Sequence, residues 1–287
     1  MILAAFVWGS GHPAGKIILR EITPQQLTLL SSMSCAIVLA IWLTLTKKTR
    51  SLSRIRGRVL TLTLASGAIM FFLYPNLSFS ALRLIPASAN SILVATSTIF
   101  VAILAALFLK ERLRTFGYLG ILVSFVGIAL VIASTELGSL NAANLSVFGS
   151  ILALLGAVAS ALYAIVGRRL AMFDAMCITL IGAAFGGALQ ALLLGVSGGF
   201  SGLFGASLET YGLIAYWGVF SGLAYVTYYY CLGRMEATRV SSFIFLSPLF
   251  ATLLSSVALG EQLTAPFLTG LALTLGGIWV TQRGQTK

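Results

Sequence analysis

The chain has one histidine, His12, and it lies inside the first apolar run, directly before Pro13. An imidazole titrates near ~6.5, so His12 could exchange a proton or hydrogen-bond a solute. It could equally be a neutral ring satisfied by a neighbouring helix. Pro13 removes one backbone donor at the same level and loosens the helix there. Flat side chains that also carry a hydroxyl sit inside other apolar runs: Tyr74, Tyr163, Tyr225, Tyr228, Tyr229 and Tyr230. Tyr225 and Tyr229 are four residues apart and share a helix face. Such rings can stack on an apolar solute or hold a cation over the ring face. Tyr230, close to Arg234, and Trp279 read instead as members of an interfacial aromatic belt.

Hydroxyls and amides form the next group: Asn90, Ser91, Thr96, Ser97 and Thr98 in one run, and Ser241, Ser242 and Ser247 in another. Each hydroxyl alone can be satisfied within its own helix or across a packing interface. All seven acids, Glu21, Glu111, Glu136, Asp174, Glu209, Glu236 and Glu261, fall in loops or at helix ends. A carrier that exchanges protons through a mid-membrane carboxylate is therefore disfavoured, leaving His12 as the proton-coupling candidate or a facilitator or exchanger without one. No phosphate-cradling loop, His-Glu-x-x-His or Cys-x-x-Cys occurs, so no enzyme, cofactor or metal site is expected.

The elements that must position these residues follow from composition. Of 287 residues, 59% are hydrophobic and 9% charged, with a formal net charge of +11 and a mean hydropathy of +1.01. A soluble domain carries about 25% charged residues, so the chain reads as an all-α integral membrane protein. A spanning helix takes about 20 apolar residues. Ten such runs are predicted: Ile2 to Leu19, Gln26 to Leu45, Val59 to Phe79, Ser88 to Leu109, Phe116 to Ala133, Val147 to Val166, Met176 to Val196, Leu213 to Leu232, Val240 to Leu259 and Pro266 to Thr281. The fifth and tenth are the shortest. The connecting loops leave no room for a soluble catalytic domain, and no signal peptide is read at the N-terminus.

Of the 18 Lys and Arg residues, fifteen fall on one side of these spans; Lys16, Arg20 and Arg83 alone fall on the other. The positive-inside rule then puts both termini in the cytoplasm of a multi-pass plasma (inner) membrane protein. The same distribution argues against nucleic acid, because the charge lies in short loops rather than on a basic face. The three cysteines, Cys35, Cys177 and Cys231, lie within or at the ends of apolar runs and do not suggest a disulfide framework.

Shifting the sequence by 150 positions aligns Ala87 to Ile128 with Ala237 to Ile278 without a gap. Ser91 meets Ser241, Ser97 meets Ser247, Glu111 meets Glu261, Leu113 meets Leu263, Gly120 meets Gly270 and Gly127 meets Gly277. A Glu-x-Leu recurring between two helices in a chain with six glutamates indicates duplication. Each half holds five spans, an odd number, so the second copy enters the bilayer inverted. Inverted repeats place a solute site near the midplane, between halves that rock around it.

The motifs Trp8-Gly9-Ser10 with Lys16, Leu109-Lys110-Glu111-Arg112-Leu113, Ser247-Pro248-Leu249-Phe250 and Leu259-Gly260-Glu261-Gln262-Leu263 give the chain its resemblance to a known family. It resembles the drug/metabolite transporter superfamily, specifically ten-helix bacterial carriers with two EamA domains, here 1–135 and 145–287. The resemblance implies export of small metabolites, amino acids or drugs. One departure is that Pro248 has Thr98 as its counterpart, which predicts a proline bend in helix nine and none in helix four.

The candidate substrate-binding set is His12, Trp8, Tyr74, Asn90, Tyr163, Tyr225, Tyr229 and Ser247. Pro13, Pro248, Glu111 and Glu261 are structural or gating candidates. The expected function is export of a small amphipathic metabolite, amino acids first, with a drug or organic-cation exporter, a membrane scaffold or an intramembrane enzyme as alternatives. The expected partners are the solute and the lipid bilayer, with the chain a monomer or homodimer. Gly182 and Gly186 permit a close helix contact that is either internal or a dimer seam.

Overall fold

The computed structural model describes residues 1–47, 52, 55–108, 112–113, 115–136, 143–170, 172–203, 205–234, 240, 243–283 and 285–286. Helix dominates. In chain order the elements are α1 (Ile2–Ile18), α2 (Pro24–Leu45), α3 (Arg58–Gly67), a π-helical segment (Ala68–Leu73), α4 (Tyr74–Leu84), α5 (Ala87–Ala95), α6 (Ser97–Phe108), α7 (Thr115–Glu136), α8 (Ala143–Leu170), α9 (Ala175–Ser197) and α10 (Leu208–Leu232). A 3₁₀ turn (Ile244–Leu246), α11 (Ser247–Leu259) and α12 (Ala265–Arg283) complete the bundle. The extended residues are a two-residue antiparallel pairing of Arg112–Leu113 with Gln285–Thr286.

Among the described residues, six stretches are long and apolar enough to cross a membrane: Pro24–Leu45, Arg58–Leu84, Ala87–Phe108, Thr115–Ser134, Val147–Leu170 and Ala175–Ser197. Ser247–Leu259 and Ala265–Thr281 are shorter apolar helices. Ends are set by local chemistry. Thr23 and Gln26 form a capping box at the start of α2, Thr23 N donating to Gln26 Oε1 at 2.9 Å and Gln26 N to Thr23 Oγ1 at 3.2 Å. Asp174 caps α9, and left-handed Gly198 and Gly260 (φ 66° and 67°) end α9 and α11.

Two expectations need correction. The fifth and tenth helices are not the shortest: α7 has 22 residues and α12 has 19, whereas α11 has 13. Pro13 lies within α1, which runs through it from Ile2 to Ile18. Helix four is broken despite having no proline: it stops at Ala95 and resumes at Ser97. At this break Thr96 N and Oγ1 both donate to Leu93 O, at 3.2 and 2.6 Å, and Thr98 Oγ1 donates to Ala95 O at 2.9 Å. Hydroxyl back-bonding of this kind bends helices. At the equivalent place in helix nine, the 3₁₀ turn gives way to α11 with Pro248 in its first turn.

The α7–α12 contact is a close antiparallel seam. A Cβ on Gly120 would lie 2.5 Å from Gly277 O, one on Gly277 2.5 Å from Gly120 O, one on Gly127 2.7 Å from Gly270 O, and one on Gly270 2.8 Å from Gly127 O. Between them Ser124 Oγ donates to Thr274 O at 3.2 Å, across a sequence separation of 150. Thr281 Oγ1 and Thr274 Oγ1 return their protons to Gly277 O and Gly270 O, both at 2.8 Å. Every hydroxyl of the seam is thus satisfied, and backbones touch where only glycine fits.

Candidate functional site

A second packing anomaly builds the site. The π segment Ala68–Leu73 precedes Pro75, which has no N–H to give to Phe71 O four residues earlier. Ser32 Oγ supplies the missing donor from α2, at 2.9 Å, and Asn76 Nδ2 donates to Phe72 O at 2.7 Å. On the other side, α9 presses in: a Cβ on Gly182 would lie 3.3 Å from Gly67 Cα, and one on Gly186 2.5 Å from Phe71 Cβ. The Gly182/Gly186 contact is therefore internal, and it holds the distorted turn that turns Met70 and Phe71 toward a central cavity.

The cavity and the open space at its mouth together take in about 1040 Å³. Of the candidate binding residues, Trp8, His12, Tyr74, Tyr163, Tyr225 and Ser247 line it. Gly9 lets α1 reach the wall, since a Cβ there would lie 2.6 Å from Ser247 O. Ser97 and Ser247, the first residues of α6 and α11 and duplicates of each other, both face the space. No carboxylate, ammonium or guanidinium lines it among the described residues. Hydroxyls, one imidazole and aromatic rings do, a surface suited to an amphipathic solute.

The aromatic wall is continuous. Tyr225 meets Trp8 at 5.6 Å and Phe71 at 5.2 Å between ring centroids, and Tyr163 stacks on Tyr228 at 6.3 Å with 17° between planes. Tyr229 is not in the lining: it packs edge-on behind Tyr163 at 5.6 Å. Asn90 likewise stands behind the wall, fully buried. Its Nδ2 faces His12 Nδ1 at 3.1 Å and Ser78 Oγ at 3.4 Å. An amide nitrogen only donates, so Nδ1 accepts and the proton of the neutral ring sits on Nε2. Asn90 Oδ1 has no hydrogen-bond partner. Asn90 thus meets the histidine and is not itself among the lining residues.

His12, Asn90 and Tyr225 are 9%, 0% and 8% exposed, so all three face the bundle interior. Tyr230 and Trp279 are exposed, with Arg234 and Arg283 lying 3.7 and 4.0 Å over their rings, the arrangement expected of interfacial residues. Glu111, Ser241 and Ser242 lie outside the described residues.

Residues that the sequence reading passed over also reach the site. Cys35, Ser31, Ser32, Ser160, Ser221 and Trp217 line the cavity. Lys16, within the first predicted run, lies in α1 one turn beyond His12 and was not among the candidate site residues. Its Nζ donates to Leu82 O at 2.6 Å and Ile85 O at 2.8 Å, at the C-terminus of α4. The four-residue interval from His12 was the available signal. Glu261 caps α5: its carboxylate accepts from Ala87 N at 2.6 Å, Ser88 N at 3.1 Å and Ser88 Oγ at 2.5 Å.

Comparison with known proteins gives a consistent picture. Residues 1–133 and 147–283 each match the EamA-like transporter family. An "uncharacterized transporter" of Archaeoglobus fulgidus is 24% identical over 99% of this chain and 96% of its own length. One of Synechocystis sp. is 27% identical over 100% of this chain and 90% of its own. In Bacillus subtilis, the uncharacterized transporter YdfC is 26% identical over 96% of this chain and 87% of its own. A solved structure described as "Crystal structure of protein" superposes with a TM-score of 0.71 at 21% identity, over 97% of this chain and 93% of that one. That likeness concerns the fold.

Proposed function

We propose, from the premise that the chain belongs to the EamA-like transporter family, that it is a secondary carrier exporting a small amphipathic metabolite, amino acids first, by alternating access. In this reading ten spans form two inverted five-helix halves, 1–135 and 145–287, around the cavity. The observation that carries it is the shared wall: helix four restarts at Ser97 and a 3₁₀ turn leads into α11 at Ser247, the matching register, and both serines line one cavity. Discontinuous helices at a midplane site are the hallmark of inverted-repeat carriers.

The seam supports the same reading. Gly120 opposes Gly277 and Gly127 opposes Gly270, while Ser124 meets Thr274, its own counterpart. Such reciprocal pairing is what a two-fold axis in the membrane plane produces. The basic loops support a plasma-membrane orientation with both termini in the cytoplasm.

His12 is the proton-coupling candidate in this scheme, because its ring lines the cavity and is oriented by Asn90. The uncharged lining of polar donors and rings is consistent with a non-enzymatic carrier. The aromatic wall also favours a second reading, an exporter of organic cations, which would be held by ring faces instead of a carboxylate. A thermal-shift screen of purified protein against amino acids, nucleosides and quaternary amines tests the choice. Stabilisation by amino acids that is weakened in Ser97→Ala and Ser247→Ala is expected. Stabilisation by quaternary amines alone would favour the second reading, and none by any class would count against both.

A further inference from the structure

At the end of the bundle where α1, α4, α9 and α11 finish, two carboxylates cross between the two halves of the chain. Glu261, after α11, caps the N-terminus of α5 through Ala87 N, Ser88 N and Ser88 Oγ. Glu21, after α1, caps the N-terminus of α10, accepting from Ser207 N at 2.6 Å and Ser207 Oγ at 2.8 Å. Each half thus supplies an anion to a helix N-terminus of the other, where backbone amides and the helix dipole favour negative charge.

Two cations complete the arrangement within the first half. Lys16 on α1 donates to carbonyls at the end of α4, and Arg83 on α4 donates to Leu19 O at 3.3 Å and Ile22 O at 3.1 Å, beyond the end of α1. This exchange fastens α1 to α4. Gln26 adds a third link between halves, its Nε2 donating to Gly199 O and Ser201 O at 2.9 and 2.8 Å.

The place of these contacts gives them a consequence. Lys16 is one helical turn from His12, Ser88 is nearly one turn from Ser91, and Leu82 itself lines the cavity. A turn rises about 5.4 Å, so the Lys16 and Glu261 contacts sit about one turn beyond the cavity lining, with the Glu21 cap farther out at the exposed start of α10. They must separate if the cavity opens at this end. We propose that the exchanged caps, Glu261 on α5 and Glu21 on α10, are the latch that holds the cavity shut at this end of the bundle, with Glu261 the principal member. The proposal rests on the carrier reading.

Cys35, in the cavity wall, is a built-in reporter once Cys177 and Cys231 are changed to alanine. Its labelling by a membrane-impermeant maleimide is timed in right-side-out and inside-out vesicles. In Glu261→Ala, labelling should accelerate about tenfold from one membrane face only, the size of an ordinary two-state coupling. Glu21→Ala should give a smaller rise from the same face, and the double variant the largest. Ser88→Ala, which removes a single bond of the cap, gives a milder version of the Glu261 effect should the larger truncation fold poorly. Unchanged labelling across the variants, or equal acceleration from both faces, would overturn the latch. Solute counterflow in the same vesicles is read separately. Exchange with an unaltered labelling pattern defeats the latch alone, whereas one-sided acceleration without exchange of any solute upholds the latch as a structural device and defeats the carrier reading.

Discussion

The duplicated stretch builds two interfaces of opposite character. Its second part, Thr115 to Ile128 and Ala265 to Ile278, forms the α7–α12 seam, where glycines bring backbone against backbone and the hydroxyls are spent on carbonyls. Its first part, Ala87 to Phe108 and Ser247 to Leu259, contributes to the cavity wall, where one helix breaks at Thr96, the other starts from a 3₁₀ turn, and Ser97 and Ser247 line the cavity. One ancestral pattern thus serves both rigidity and access. Unbroken helices with small residues make a fixed joint, and helix starts with cavity-lining hydroxyls make a surface that can hydrogen-bond a solute.

The sharpest way to break the contrast is to fill the seam. Gly127→Leu places a side chain where Gly270 O stands 2.7 Å from the Cβ position, so the helices must part. Overpacking costs about 1–3 kcal/mol in ordinary cores, and here the obstacle is backbone. Tm in detergent should fall by roughly 5–10 °C, with transport lost in proportion to folded protein. A variant as stable as the parent would show that the seam is not a tight joint.

At the cavity, His12→Ala should do the reverse. Tm stays near the parent value, while the pH-driven part of uptake into liposomes disappears. Asn90→Ala, which strips the ring of its Nδ1 donor, should weaken that part without removing it. Retained proton dependence in His12→Ala would take the histidine out of the coupling. Next in size, Ser97→Ala and Ser247→Ala should each raise KM about threefold to tenfold with kcat little changed, as for one lost hydrogen bond of about 1 kcal/mol. Effects confined to one of the pair would mean that the two copies no longer share the site.

Much of this was legible beforehand, and the exceptions have physical causes. Hydropathy located the apolar runs because spanning helices need continuous apolar length. The 150-residue register predicted that Gly120 and Gly127 would correspond to Gly270 and Gly277, though not that they would meet across the bundle. The break at Thr96 was missed because proline was the expected breaker, whereas threonine back-bonding achieved it. The π segment was hidden because Pro75 and its compensating donor, Ser32, lie on different helices. Asn90 and Tyr229 carried suitable chemistry, but facing direction within a buried helix cannot be read when all its sides are apolar. Lys16 falls within the first apolar run, but sequence spacing does not tell that its ammonium reaches carbonyls of another helix.

The smallest expected effect concerns acid. The Ser207 backbone N–H, and then its hydroxyl, hold the Glu21 carboxyl below its usual value of 4.5. Its contribution is therefore complete above about that pH and declines as pH falls through the lowered pKa. Glu21→Gln should lose this acid dependence of Cys35 labelling while leaving behaviour at neutral pH only slightly altered. Labelling that responds to acid equally in the variant would assign the dependence to another group.

The central claim is that the cavity between the two halves carries a solute across the membrane. Counterflow in proteoliposomes loaded with unlabelled amino acid tests it directly. The account predicts transient accumulation of labelled amino acid that is reduced by Ser97→Ala and Ser247→Ala. Folded protein that produces no accumulation with amino acids, nucleosides or quaternary amines would contradict it.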